Sequence, residues 1–301
     1  VKKFILKSIL LFILVAGFTW LIINHYTQGY VDAHYKRFTT GKKTCLILGS
    51  SRAAQGLQPQ YIFEGLADEK DYLNFSFTVG ISPYGEIYLD AIKSKLNTDS
   101  DNGYFILEVS PIMISSKDTL KKEGLVREAA VLGKQYTYNQ NPNWEYILRQ
   151  YEKPLYKLIL NNNKKDENLE LHDDGWLEVN VSMDEKETMK RKKRVLKDYE
   201  KRFEEHSFDS DRLHFLVETI KTLQEHGSVY LVRMPIGDDI KNLEENYMPD
   251  FDDKMEEVSS KTNILYLNLY HVTTYQTTDG NHLYKADGKR FSQVVNQLIV
   301  K

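Results

Sequence analysis

Five short apolar runs, each separated from the next by a segment patterned for a helix, constrain what this 301-residue chain can fold into. They lie at residues 44–48, 71–77, 103–111, 228–235 and 264–269, and the third and fourth stop on Pro111 and Pro235. Runs of this length rich in Leu, Ile, Val, Phe and Tyr read as buried strands. Between them, residues 58–63 give a helix start with Pro59 in its first turn, and residues 86–96, 211–226 and 244–260 carry apolar residues at helical spacing. A last amphipathic helix follows Phe291. Strand and helix in alternation predict α/β architecture with a parallel, doubly wound sheet and right-handed crossovers.

The alternation is interrupted at residues 115–209. Helical patterns at 120–132 and 144–160 lead to a polar tract, Asn161-Asn162-Asn163-Lys164-Lys165-Asp166, which reads as a mobile loop. The loop His172-Asp173-Asp174-Gly175-Trp176 and a charged run at 184–205 follow. The whole segment reads as a largely helical insertion over the sheet edge. Trp176 either lines a substrate cleft or packs the insertion down.

The amino terminus carries Lys2, Lys3 and Lys7 ahead of an uncharged stretch from Ser8 to about His25. With Phe4 to Leu6 added beyond a snorkelling Lys7, it reaches roughly the 20 residues that cross a bilayer. We read residues 1–25 as an uncleaved transmembrane anchor, because no small-x-small cleavage site precedes His25 and Trp20 sits where an interfacial anchor would. The upstream lysines predict a cytoplasmic amino terminus and an extracytoplasmic remainder. Residues 26–43 read as a membrane-proximal spacer and residues 44–301 as the folded domain. Charge is nearly balanced, 40 Lys and Arg against 43 Asp and Glu; with no basic stripe to track a phosphate backbone, nucleic acid is not an expected partner. Cys45, the single cysteine, permits no internal disulfide and reads as a core residue.

Chemistry concentrates at two turns. The first strand runs into Gly49-Ser50-Ser51, a small-residue turn at the carboxyl end of the strand, where open α/β sheets bind their ligands. Whichever serine takes the apex presents its hydroxyl to the crevice. After the fifth strand comes Asp279-Gly280-Asn281-His282-Leu283. An Asp three residues before a His accepts the imidazole Nδ1–H, fixes the tautomer and leaves Nε2 to take a proton from a serine. Both turns belong to the same edge of the sheet, and the order Ser, Asp, His is compatible with a triad, which is recognised by geometry and not by position. Arg52, a cation in the first turn of a helix, either holds an anionic substrate or is paired with an acidic side chain elsewhere.

These blocks resemble the SGNH (GDSL-like) hydrolase superfamily. Gly49-Ser50-Ser51 is similar to that family's Gly-Asp-Ser block with Ser50 in place of the Asp. The closing block, with Gly288, Phe291 and Ser292 beyond it, is similar to its Asp-Gly-x-His-Leu. The resemblance implies Ser51 as nucleophile, His282 as base and Asp279 as orienting acid. It also implies a three-layer, flavodoxin-like parallel sheet of about five strands, here with the insertion and one N-terminal transmembrane helix. The oxyanion donors it implies are Ser51 and Gly80 after Asn74-Phe75-Ser76, with Ser110 or a backbone N–H as the candidate to replace the family's third donor. The family's oxyanion asparagine after the third strand has no counterpart, since Glu108-Val109-Ser110-Pro111 stands there. Asn74, Arg52 and Trp176 are the substrate-binding candidates.

Anchor, export and core together resemble proteins that O-acylate cell-envelope polymers. The expected function is an anchored extracytoplasmic acyl esterase or O-acyltransferase acting on an envelope or extracellular glycan, without cofactor or metal, working beside a membrane-bound O-acyltransferase. Two alternatives are a catalytically inactive glycan-binding or assembly partner with the same fold, and a flavodoxin-type cofactor binder. The second would need a phosphate-cradling loop, for which only Gly-Ser-Ser is available, and it leaves the Asp-His turn unexplained.

Overall fold

The computed structural model describes residues 1–27, 32, 34–151, 156–157 and 168–300. Five strands, β1 (Cys45–Leu48), β2 (Tyr72–Asn74), β3 (Gly103–Glu108), β8 (Gly227–Arg233) and β9 (Leu265–Asn268), form one sheet in the order β2-β1-β3-β8-β9, parallel throughout. Alternation along each strand explains the layers. Leu46, Leu48, Phe105, Leu107, Val229 and Leu231 enter one buried cluster, whereas Cys45, Ile47, Ile106 and Val232 enter another on the opposite face. A sheet buried on both faces needs apolar residues at every position, which is why these strands read as continuous runs. The first face is covered by α5 (Glu86–Lys95), α9 (Ser210–Gln224) and α11 (Phe251–Thr262). The second is covered by α3 (Ser51–Gly56), α4 (Pro59–Ile62) and α12 (Lys285–Ile299). The strand order reverses between β1 and β3, and the crevice at such a reversal is where α/β sheets take ligands.

The 115–209 segment carries more than helices. Its ends zip together as an antiparallel pair, β4 (Ser115–Lys117) with β7 (His206–Phe208), and a hairpin of β5 (Leu169–Leu171) and β6 (Leu177–Val179) lies within it. The charged run forms α8 (Glu185–Glu205), capped by the Asp184 carboxylate on two amide N–H groups. Where one helix is expected over 120–132, the chain forms α6 (Asp118–Lys122) and two short 3-10 turns, with Gly124 and Gly133 interrupting the pattern. From the 144–160 pattern, α7 (Trp144–Arg149) is described, and the polar tract 161–166 lies outside the described residues. The 244–260 pattern splits into α10 (Asp238–Tyr247) and α11 because Pro249 has no N–H to donate and pushes Met248 out of the helical region.

Nor are residues 26–43 a spacer throughout. Tyr35, Arg37 and Phe38 in α2 (Tyr35–Thr39) are fully buried, the aromatics within the first core cluster. Ahead of them α1 (Lys2–Thr27) holds a 25-residue apolar span, Lys2–Tyr26, long enough to cross a membrane; its most apolar window is unburied, and Ile23 near its end packs half-buried against the first core cluster.

Candidate active site

At the end of β1 the chain has to reverse into α3 within two residues. Gly49 makes the turn at φ +145°, and a Cβ there would lie 2.7 Å from Glu108 Cβ. Ser50 caps α3 by accepting the Arg52 N–H at 3.2 Å, and its own N–H donates to Glu108 Oε2 at 2.7 Å. These contacts present Ser51 as the first residue of α3, half-buried at the carboxyl edge of the sheet. Its backbone N–H has no acceptor among the described residues.

The partner turn arrives from β9, the far edge of the sheet. A bridge between Thr277 and Leu283 closes it, Gly280 takes φ +88°, and the Gly237 N–H from the loop after β8 donates to the Gly280 carbonyl at 2.7 Å. The turn is thereby carried back across β8 toward β1. Ser51 Oγ lies 2.8 Å from His282 Nε2, and His282 Nδ1 lies 2.7 Å from Asp279 Oδ2. Asp279 Oδ1 accepts the N–H groups of Asn281 and His282, both at 2.9 Å. A carboxylate only accepts, so the ring proton sits on Nδ1 and the Nε2 lone pair faces the serine. Burial pushes the Asp279 carboxyl upward, but the adjacent imidazole and these hydrogen bonds outweigh it and hold the group at about 2.

Behind this relay stands a buried chain of charges that sequence reasoning missed. Arg52 Nε donates to Asn281 Oδ1 at 2.8 Å, which forces the other end of that amide toward the relay: Nδ2 is 3.1 Å from His282 Nε2. The Ser51 hydroxyl and the Asn281 amide thus converge on one nitrogen that has a single lone pair. Arg52 also pairs with Glu244 at 2.7 Å and stacks on the Tyr199 ring at 5.7 Å. Glu244 continues to Arg233 at 3.5 Å, and Arg233 reaches Asp252 at 2.5 Å with its guanidinium 3.5 Å from the centre of the Tyr270 ring. Burial works against the charge on Arg52, but Glu244 outweighs it and raises the pKa further.

Two expected substrate-binding residues are corrected by these contacts. Arg52 is only 3% exposed, and its Nε and Nη2 donate to Asn281, Glu244 and Tyr199, so it supports the site from behind. Asn74 is fully buried; its amide donates to the carbonyls of Ala53 and Leu57 at 2.9 and 2.8 Å, closing the carboxyl end of α3. Of the two readings of Trp176, the structure takes packing: its indole donates to the Gln55 carbonyl at 2.8 Å and stacks on His172, fastening the β5–β6 hairpin to α3. Gly80 sits in a loop hung from the Gly49 carbonyl by Phe77 and Ser82, but its N–H is engaged by Thr78 Oγ1 at 3.3 Å. No hydrogen bond joins it to Ser51 or His282 among the described residues. Ser110 is buried at the end of β3, and its hydroxyl and Glu108 Oε1 both lack partners among the described residues.

Away from this edge, Glu170, His172 and Glu178 bring ligand atoms within 4.8 Å of one another. Glu178 is already committed to Lys285 at 2.7 Å and His172 at 2.9 Å. Compared with protein-family models and with curated proteins, the sequence matches none.

Proposed function

We propose that the chain is a membrane-anchored serine acyl esterase or O-acyltransferase of SGNH type, with its domain on the extracytoplasmic side and an acylated envelope or extracellular glycan as substrate. The observation that carries this reading is the unbroken relay Ser51–His282–Asp279 at 2.8 and 2.7 Å. In the acylation step Ser51 Oγ bonds to the acyl carbon as its proton passes to His282 Nε2. Collapse of the tetrahedral intermediate expels the alcohol, which takes that proton from the imidazolium. Water or a sugar hydroxyl then attacks the acyl-serine by the same route in reverse. Asp279 holds the ring and stabilises its charge.

Oxyanion stabilisation falls to the free Ser51 N–H and to Asn281 Nδ2. Once Nε2 is protonated it no longer accepts, so the Asn281 amide is released to donate to the developing negative oxygen. An interaction made only in the transition state raises kcat, and a single such donor is worth about 2.7–4 kcal/mol. Asn281 thereby supplies the side-chain amide that the end of β3 lacks. A membrane-bound O-acyltransferase is the partner this reading calls for.

The test uses the full chain in detergent, with a fluorophosphonate probe and p-nitrophenyl acetate. Labelling at Ser51 and ester turnover, both abolished in Ser51→Ala, are expected. A correctly folded chain that neither labels nor turns over ester, beside a control hydrolase that does, removes the proposal.

A further inference from the structure

Between the end of α8 and the chain at residues 117–127 lies an open cleft of about 560 Å³ whose charged lining includes Arg127, Lys201, Arg202 and His206 with the carboxylates of Asp198 and Glu205. Two of its cations are under-compensated. Arg202 Nε and Nη1 are buried without a hydrogen-bond partner among the described residues, and the stack of this guanidinium on Tyr199 leaves its N–H groups unused. Arg127 has as its hydrogen-bond partner the ring nitrogen of His206, at 3.5 Å. Neither arginine has a carboxylate within ion-pair distance among the described residues. Of the nearby acids, Glu128 forks onto Arg212 and Glu205 pairs with Lys117 at 2.9 Å, while Asp198, one turn before Arg202 on α8, lines the cleft without an ion pair to either arginine among the described residues.

Two further observations show the positive field. Burial first, and then the charge of Arg202, lower the pKa of Arg127 against the opposing pull of Glu128 and Glu205. His206 Nδ1 donates to the Arg202 carbonyl at 2.7 Å, so Nε2 is the acceptor that meets Arg127. Burial and the surrounding cations lower the His206 pKa and favour that neutral ring. A pair of facing guanidiniums whose N–H groups lack carboxylate partners is arranged to fork onto an oxyanion.

The cleft is tied to the relay from both sides. Arg202 stacks on Tyr199, one turn before it on α8, and Tyr199 in turn packs against Arg52, the residue after the proposed nucleophile. Arg127 lies against Gly80, its guanidinium 3.1 Å from where a Cβ would be, in the loop that Ser82 hangs from the Gly49 carbonyl. We propose that Arg127 and Arg202 bind an anionic group, phosphate or carboxylate, carried by the substrate whose ester reaches Ser51. The proposal rests on the acyl-transfer reading for its second half only. Binding of the anion stands apart from it. A repeating anionic glycan fits such a site, because one unit is held by charge while the acyl group of the same polymer lies at the serine.

The full chain in detergent is titrated with glycerol 3-phosphate and with glucuronate by calorimetry, beside Arg127→Gln and Arg202→Gln. Saturable binding of at least one anion, weakened about tenfold or more in each variant, is expected from the loss of a charge-assisted hydrogen bond. Binding also weakens as salt rises. Preference for the phosphate or the carboxylate compound assigns the source of the charge. Absence of binding by both anions, or equal binding in the variants, overturns the site. A chain that binds the anion through both arginines but labels at no serine keeps the site and removes the acyl-transfer reading.

Discussion

Replacing Arg52 with methionine tests the buried charge chain and its hold on Asn281 at once. The side chains of Arg52 and Glu244 are 3% and 0% exposed. Methionine fills most of the arginine's volume but leaves a carboxylate that burial makes costly. Breaking a buried pair by removing one partner costs about 3–5 kcal/mol. Arg233, 3.5 Å from the other Glu244 oxygen, retains part of the compensation, which places the expected loss near the lower end, about 3 kcal/mol. At roughly 2–4 °C per kcal/mol for a domain of this size, Tm falls by roughly 6–12 °C. The assay is urea unfolding of the full chain in detergent, followed by the fluorescence of Trp176, which is fastened to the carboxyl end of the Arg52 helix. Adding Glu244→Leu removes the stranded carboxylate, so the double variant is expected to regain part of what the single one loses. Because Asn281 is aimed by Arg52, kcat falls in both variants. A loss below about 1 kcal/mol in Arg52→Met, or a double variant less stable than the single one, refutes the argument.

The remaining expectations concern titratable groups. Asp279→Asn leaves the fold intact but disturbs the imidazole tautomer, and kcat drops by about 10³–10⁴-fold on p-nitrophenyl acetate. The parent carboxyl is depressed from 3.8 to about 2, so its contribution is present above about pH 4 and lost as pH falls to about 2. Urea midpoints across that window flatten in the asparagine variant. Lys95 behaves the other way round as a cost. It is fully buried against the carbonyls of Phe38 and Thr40 and the Asn139 amide oxygen, and burial, then Lys43, lower its pKa from 10.5 to about 7. The unfolded chain therefore binds the proton more readily, and stability rises by up to about 1.4 kcal/mol per pH unit between about 7 and 10.5. Lys95→Met is expected to flatten that slope in urea unfolding; an unchanged slope dismisses Lys95 as its source.

What could be read from the sequence follows the physics that acts locally. The sheet was legible because β1, β3 and β8 are buried on both faces and so carry uninterrupted apolar runs. The two turns that bring Ser51 and His282 together were legible because Gly49 and Gly280 flank residues whose spacing means something chemically. The break at Pro249 was visible as well, and helical periodicity on either side obscured it. Partners of Arg52 were not legible. Glu244 stands 192 positions away beside Glu245 in a helix full of acids. The signal that separates them is phase: Glu244 follows Ile240 by four residues and shares its buried face. Tyr35 and Phe38 were passed over for a similar reason, since the lysine and arginine between them made the segment look solvated, although Arg37 is itself buried, with donors on the carbonyls of Asn74 and Gly175. No local rule says that a residue such as Asn281, inside a recognised motif, would be turned by a guanidinium from across the sheet.

Burial of α2 has a consequence for where the molecule can work. Seven residues, 28–34, join the last residue of the long apolar helix to the first of a segment locked into the core. Even fully extended they reach no more than roughly 25 Å. With that helix seated in a bilayer, the domain is leashed to its surface at a distance comparable to its own radius. On the proposed reading, an acyl acceptor far from the membrane is beyond reach of Ser51 and one close to the surface is within it.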